Sequence, residues 1–139
     1  MEQADSKTYS GNFYKQQLEL VAQQRGLAEY LYVQVRHSKH FMDQYYSGKI
    51  ELEKIAAAAF MSRFHYIRMF QQVYGVTPRQ YLRDLRINKA KELLQEGHDI
   101  SRVCIEVGYD SLSTFSATFK RGTGHAPTTY RALHKSNRE

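Results

Sequence analysis

The sequence is short of the parts that most chemistry needs. Its 139 residues include one cysteine, two prolines and no tryptophan. A single thiol closes no internal disulfide, and no Cys/His grouping has zinc-site spacing, so the fold must rest on packing. His37 and His40 stand three apart, but nothing nearby in sequence completes a metal site. No apolar run approaches the ~18 residues that suggest a membrane span, and no basic-then-apolar leader opens the chain. The expectation is a cytoplasmic protein without a membrane partner. No stretch alternates apolar and polar residues convincingly, and no Asn-Gly or Asp-Gly pair marks a hairpin, so the expected fold is all-α. No two residues suggest an acid and base poised for catalysis; neither enzymatic activity, catalytic residue, metal nor cofactor is expected.

The chain does have an excess of positive charge, unevenly placed. The formal net charge is +6. Residues 1–48 hold five cations and five carboxylates, leaving fifteen cations and nine carboxylates for residues 49–139, which carry the whole excess. Such a balance suits a polyanion; equally, a basic face can serve solubility alone.

The basic region also repeats itself. A shift of 49 positions puts Ser62 on Ser111, Tyr66 on Phe115, Phe70 on Phe119, Gly75 on Gly124, Pro78 on Pro127 and Tyr81 on Tyr130. The same shift puts Ala59 on Gly108, Phe60 on Tyr109 and Ile55 on Cys104. One supersecondary unit is therefore expected twice. Each copy reads as a short helix, a small-residue turn, an aromatic plug (Phe60 or Tyr109) and a second helix opened by a serine cap. In copy one these are Leu52–Ala59 and a helix running from Ser62 to about Tyr74. In copy two they are Ser101–Val107, with Asp99 as cap and Gly108 as turn, and Ser111–Lys120, broken by Gly122 and Gly124. Cys104 reads as a buried structural side chain rather than a nucleophile.

Six segments are expected. Residues 1–12 form a polar flexible tail and 13–40 a helical extension that Gly26 separates into two periodic runs. Residues 41–76 form the first unit. Thr77-Pro78 opens a linker helix over 77–97, which is about 18 residues or ~27 Å long and serves as a rigid spacer. Residues 98–134 form the second unit and 135–139 a tail. The extension is either a dimerisation or partner helix or a plain appendage.

A short helix, a turn and a second helix is the plan of a DNA-reading helix-turn-helix, whose second helix enters the major groove. In copy one the apolar stripe Tyr66, Met69, Phe70 and Val73 points inward, leaving Phe64, Ile67, Arg68 and Gln71 outward with Arg63 and His65 beside them. Arginine suits guanine, glutamine suits adenine, and Phe and Ile suit a thymine methyl. The base-contact candidates here are Arg63, Phe64, Ile67, Arg68 and Gln71. In copy two they are Ser113, Ser116 and Ala117, a thinner set. Ser62, Ser111, Arg79, Arg83, Lys120 and Arg121 are phosphate-contact candidates, with Arg86 a weaker one. The plain alternative for each lone cation is solvated surface.

At these residues the chain resembles the AraC/XylS family of bacterial transcription regulators. The likeness covers about Phe41 to Arg131, through LEKIAAAAFMSRFHYIRMFQQVYGVTPRQYL and VGYDSLSTFSATFKRGTGHAPTTYR. It implies two homeodomain-like helix-turn-helix subdomains joined by a long helix, with recognition helices in adjacent major-groove segments of double-stranded DNA. Base contact carries by motif position onto Phe64, Ile67, Arg68, Ser113, Ser116 and Ala117. It also implies action on transcription, as an activator or otherwise, with RNA polymerase a partner and the nucleoid the place. Where Ala117 stands many members have a cation or larger polar group, and residues 1–40 are too short for a sensory β-barrel. The chain is then a stand-alone regulator or the output module of a larger sensor protein, monomeric or dimeric through its N-terminal helices. An adaptor that binds protein through the same basic helices is the reading from another class.

Overall fold

A computed structural model describes residues 2–136, with side chains over 13–134. The helices are α1 (Glu2–Tyr45), α2 (Leu52–Ala58), α3 (Arg63–Tyr74), α4 (Pro78–Gln95), α5 (Ile100–Glu106), α6 (Leu112–Thr123) and α7 (Pro127–Ser136). No strand occurs among the described residues, as the sequence led one to expect.

The helix ends are set locally. The Ser62 hydroxyl accepts from the His65 amide and opens α3, which Gly75 closes at φ +77°. Thr77 and Gln80 form a reciprocal capping box at the start of α4, with Pro78 in the first helical turn. Ser111 accepts from the Thr114 amide and opens α6, which closes at Gly124 with φ +85°. Left-handed glycine at these stops costs no Cβ clash.

Two cores result, and α4 serves both. The first gathers Val35, Met42, Ala56, Ala59, Met61, Tyr66 and Phe70, with Tyr81 and Leu82 of α4 packed on it. The second gathers Ile87, Ala90 and Leu94 of α4 with Val103, Cys104, Val107, Phe115, Phe119 and Tyr130. The linker helix is thus a wall of each unit, not a bare spacer. On the first unit, α1 docks through Val35 and Met42, both with no exposed surface. Polar contacts line that seam. The Tyr66 hydroxyl donates to Ser38 Oγ at 2.7 Å, Ser38 donates to the Val35 carbonyl, and Tyr81 bonds Asp43, which also takes Lys39 at 3.1 Å.

Several expectations are corrected. α1 runs unbroken through Gly26 and back to Glu2, because a lone glycine inside a helix costs only about 1 kcal/mol and no proline intervenes. The backbone of 2–12 is therefore helical, and only residue 1 of the expected tail lies outside the described residues. At the other end α7 reaches Ser136, and residues 137–139 lie outside them. Gly122 stays inside α6; the stop needs positive φ, and Gly124 supplies it. Asp99 occupies the cap position of α5 without a side-chain capping bond.

The repeat has two registers. The second helices α3 and α6 start 49 apart, at 63 and 112, but the first helices α2 and α5 start 48 apart, at 52 and 100. The second turn is one residue longer. Cys104 therefore matches Ala56 rather than Ile55, and Val107 matches Ala59. The turn bonds agree: the Met61 amide donates to the Ala56 carbonyl and the Tyr109 amide to the Cys104 carbonyl. Phe60 matches Gly108, and both have positive φ, +57° and +101°. Phe60 is thus no plug but a left-handed aromatic with 88% of its surface exposed. Met61 fills the plug position.

Gly108 is held by more than its φ. A Cβ there would lie 2.9 Å from the Tyr46 carbonyl and 3.0 Å from Arg86 Nε, whereas at Gly124 it would meet nothing within 4 Å. Gly124→Ala should cost about 1 kcal/mol from conformation alone, and Gly108→Ala at least about 1 kcal/mol more. Phe60→Gly should move the other way by up to about 1 kcal/mol. Urea midpoints at constant slope check all three. Burial pushes the Tyr66 phenol up to about 12, its bond to Ser38 opposing. An ionisation raised from 10.0 favours the neutral native form, so its contribution is intact below pH 10 and lost as pH rises toward 12. That loss amounts to roughly 2–3 kcal/mol, and Tyr66→Phe should flatten the alkaline stability profile by that much.

Candidate nucleic-acid interface

The face of α3 opposite Tyr66 and Phe70 is open. Phe64 is 76% exposed, Arg68 and Gln71 are exposed, and Ile67 is half-buried beside them. An apolar ring left in water next to a free guanidinium is what a groove-reading helix needs before its ligand arrives. The anchor beneath is rigid: Tyr66 and Phe70 are fully buried, and the Phe70 ring centre lies 4.8 Å from that of Tyr74 and 5.8 Å from that of Tyr81. Arg63, at the first turn, is tied back to Glu53 at 3.2 Å. The pair is exposed, so it is worth little and yields readily to a competing anion.

The matching face of α6 is plainer. Ser113 and Ala117 are exposed and Ser116 is half-buried. Ser113 Oγ lies 2.9 Å from Ser111 Oγ, so its hydroxyl is shared with the helix cap. Lys120 and Arg121 stand exposed in the last turn of α6, where the helix dipole favours cations. The two serine caps, Ser62 and Ser111, sit at equivalent N-termini, where backbone N–H groups also favour an anion.

Between the units lies a cleft of about 530 Å³, lined among others by Glu53, Arg63, Arg79, Arg83, Arg86 and Tyr109. Arg79, Leu82, Arg83 and Arg86 follow the i, i+3, i+4, i+7 spacing and put one stripe of α4 along it. Arg79 and Arg83 are exposed, and Arg83 makes a long 3.7 Å ion pair with its neighbour Asp84. Arg86 differs. Its Nε donates to the Tyr46 carbonyl at 2.8 Å, its second nitrogen to the Gly48 carbonyl at 3.0 Å, and its guanidinium lies 5.6 Å from the Tyr109 ring centre. Burial lowers its pKa. It is a structural clip between the units rather than a spare cation, which corrects its place among the phosphate candidates.

The structure thus gathers Phe64, Ile67, Arg68 and Gln71 on one helix face and Ser113, Ser116 and Ala117 on the corresponding face of α6. Phe60, at the turn before α3, was missed as an exposed side chain; its match with Gly108 was the signal. Cys104 is buried, its thiol raised by burial and directed to the Tyr109 carbonyl at 3.6 Å, as a structural residue should be. Among the described residues no cluster of three or more His, Cys, Asp or Glu could hold a metal ion, and no helix is long and apolar enough to cross a membrane.

Comparison with known proteins agrees with this geometry. A family model described as a helix-turn-helix domain matches residues 55–133. The MmsAB operon regulatory protein of Pseudomonas aeruginosa is 34% identical over 92 residues, 66% of this chain and 30% of that protein. The bifunctional transcriptional activator/DNA repair enzyme AdaA of Bacillus subtilis is 30% identical over 96 residues, 68% of this chain and 46% of that protein. The chain thus spans from under a third to under half of the length of these curated relatives. Among solved structures, the C-terminal domain of AraT, a response regulator from Geobacillus stearothermophilus, shares 30% identity with a TM-score of 0.68, covering 72% of this chain and 84% of that one. The DNA-binding domain of AdpA, a global transcriptional factor solved in complex with a target DNA, shares 27% identity with a TM-score of 0.70, covering 75% and 95%.

Proposed function

The chain belongs to the AraC-type helix-turn-helix family, and from that premise we propose that it is a sequence-specific, double-stranded-DNA-binding regulator of transcription. The observation that carries this is the outward face of α3, where Phe64, Arg68 and Gln71 stand exposed over a fully buried Tyr66–Phe70 anchor. In the proposal α3 enters one major-groove segment and α6 the next. Arg68 takes a guanine edge, Gln71 an adenine, and Phe64 and Ile67 a thymine methyl, with Arg63 released from Glu53 onto the site. Ser113, Ser116 and Ala117 approach bases from α6 but carry little donor–acceptor information. Ser62, Ser111, Lys120 and Arg121 hold backbone at the helix ends, and Arg79 and Arg83 hold it along the cleft between the units.

One copy carries both recognition helices, so a single site needs no second copy. The downstream step in this proposal is contact with RNA polymerase, recruiting it or blocking it, in the bacterial cytoplasm on the nucleoid. No catalytic step is assigned, even though one relative is named as a bifunctional activator and repair enzyme. The likeness to it covers 46% of that protein.

Arg68→Ala should weaken the specific site by about 1–3 kcal/mol and relax preference at one base pair, read by competition binding on single-base variants. Unchanged base preference would mean that α3 lies in another register. Log affinity should fall linearly with log salt, and removing Lys120 and Arg121 together should reduce the slope by about 2 without altering base preference. A flat salt response would support the protein-binding adaptor instead.

A further inference from the structure

α6 carries one large apolar side chain that its fold does not use. Leu112 is the first residue of the helix and keeps 46% of its surface exposed. It belongs to neither buried cluster. Nor does it stand where an apolar residue steadies a helix start, which is the position before the cap, packed on the fourth helical residue. In the first unit that position is Met61, which is buried; in the second it is Asp110. A single exposed leucine is ordinary on a protein surface, so exposure alone decides nothing. Position decides more.

The 49-residue shift sets Leu112 on Arg63, which opens α3 beside Phe64. Cα–Cβ bonds tilt toward the helix N-terminus, so a first residue reaches past the helix end. In a helix-turn-helix the N-terminal residues of the second helix contact base edges. Leu112 shares a row with Ser116, four residues on, and the adjoining row holds Ser113 and Ala117. The serine hydroxyls are short, and Ser113 Oγ lies 2.9 Å from Ser111 Oγ. Leu112 and Ala117 are thus the apolar corners of the patch, and only the leucine has reach. In the major groove the apolar feature of the bases is the C5 methyl of thymine. A leucine half in water gains by covering that methyl. A guanine, adenine or cytosine edge instead meets it with polar atoms that it strips of water and cannot pair.

We propose that Leu112 is a specificity residue of the second unit and reads a thymine methyl. The inference rests on the DNA-binding reading of α6 and refines it. One methyl contact favours thymine at one position and leaves its neighbours open. The block under α6 therefore stays blurred beside the one under α3, but with a thymine in it.

Uracil differs from thymine only by the methyl, so thymine-to-uracil substitution, one position at a time, tests this on a site selected by the full chain. Within the α6 block one position should lose about fourfold in affinity, the worth of one buried methyl-sized group. At that position 5-methylcytosine should bind better than cytosine. Leu112→Ala should bring the thymine-to-uracil affinity ratio there close to one, with base preference in the α3 block unchanged. The side chain lies outside both cores, and an unchanged melting temperature verifies that the variant is folded. An α6 block without a favoured thymine, a wild type indifferent to uracil throughout it, or a Leu112→Ala variant that keeps the full ratio would overturn the inference. Each of these leaves the DNA-binding reading standing while the α3 block keeps its base preference. A wild type with no base preference in either block would overturn that reading, and this inference with it.

Discussion

The two helix-turn-helix units meet at the Arg86 guanidinium, which donates to the Tyr46 and Gly48 carbonyls of the α1–α2 turn and lies over the Tyr109 ring of the α5–α6 turn. Each unit has its own buried cluster, and α4 alone contributes to both. The clip is therefore what adds orientation to the shared helix. Arginine suits the place because its planar fork aims two donors at two carbonyls while its face stacks on a ring; a lysine offers one point charge. Gly108 completes the approach, since a side chain there would strike both the Tyr46 carbonyl and Arg86. The carbonyls neutralise none of the cation's charge, so Arg86 adds positive potential to the cleft that Arg79 and Arg83 border.

With the units held, their differences become functional. Both second helices stand on buried aromatic pairs one turn apart, Tyr66 with Phe70 and Phe115 with Phe119, so both are rigid presenters. The faces presented differ. α3 shows an arginine, a glutamine and two large apolar groups; α6 shows serines, one shared with its cap, an alanine and two terminal cations. Base discrimination rests on directional donors and acceptors, while backbone grip rests on charge. In the proposed mechanism the first unit reads and the second mainly holds.

Much of this was legible because the signals are local. Ser62, the Thr77-Pro78 pair, Ser111, Gly75 and Gly124 act within a few residues of where they stand, and helical spacing sorted Tyr66 and Phe70 from Phe64 and Arg68. What escaped was long-range or cancelled in the pattern. The extra residue in the second turn is invisible to a search aligned on the serine caps, and so Phe60 was matched to Tyr109 and read as buried. Arg86 looks like its neighbours Arg79 and Arg83 until Tyr46 and Gly48, some 40 positions earlier, are brought to it. Gly26 and Gly122 carry no mark that separates a tolerated glycine from a stop; only φ does.

Selection of bound sites from a random pool of duplex DNA tests the division of labour most directly. Two rigidly held units of unequal reading power predict two sequence blocks at one fixed spacing of about one helical turn, one block sharp and the other blurred. Two equally sharp blocks, or blocks whose spacing varies between selected sites, would contradict it.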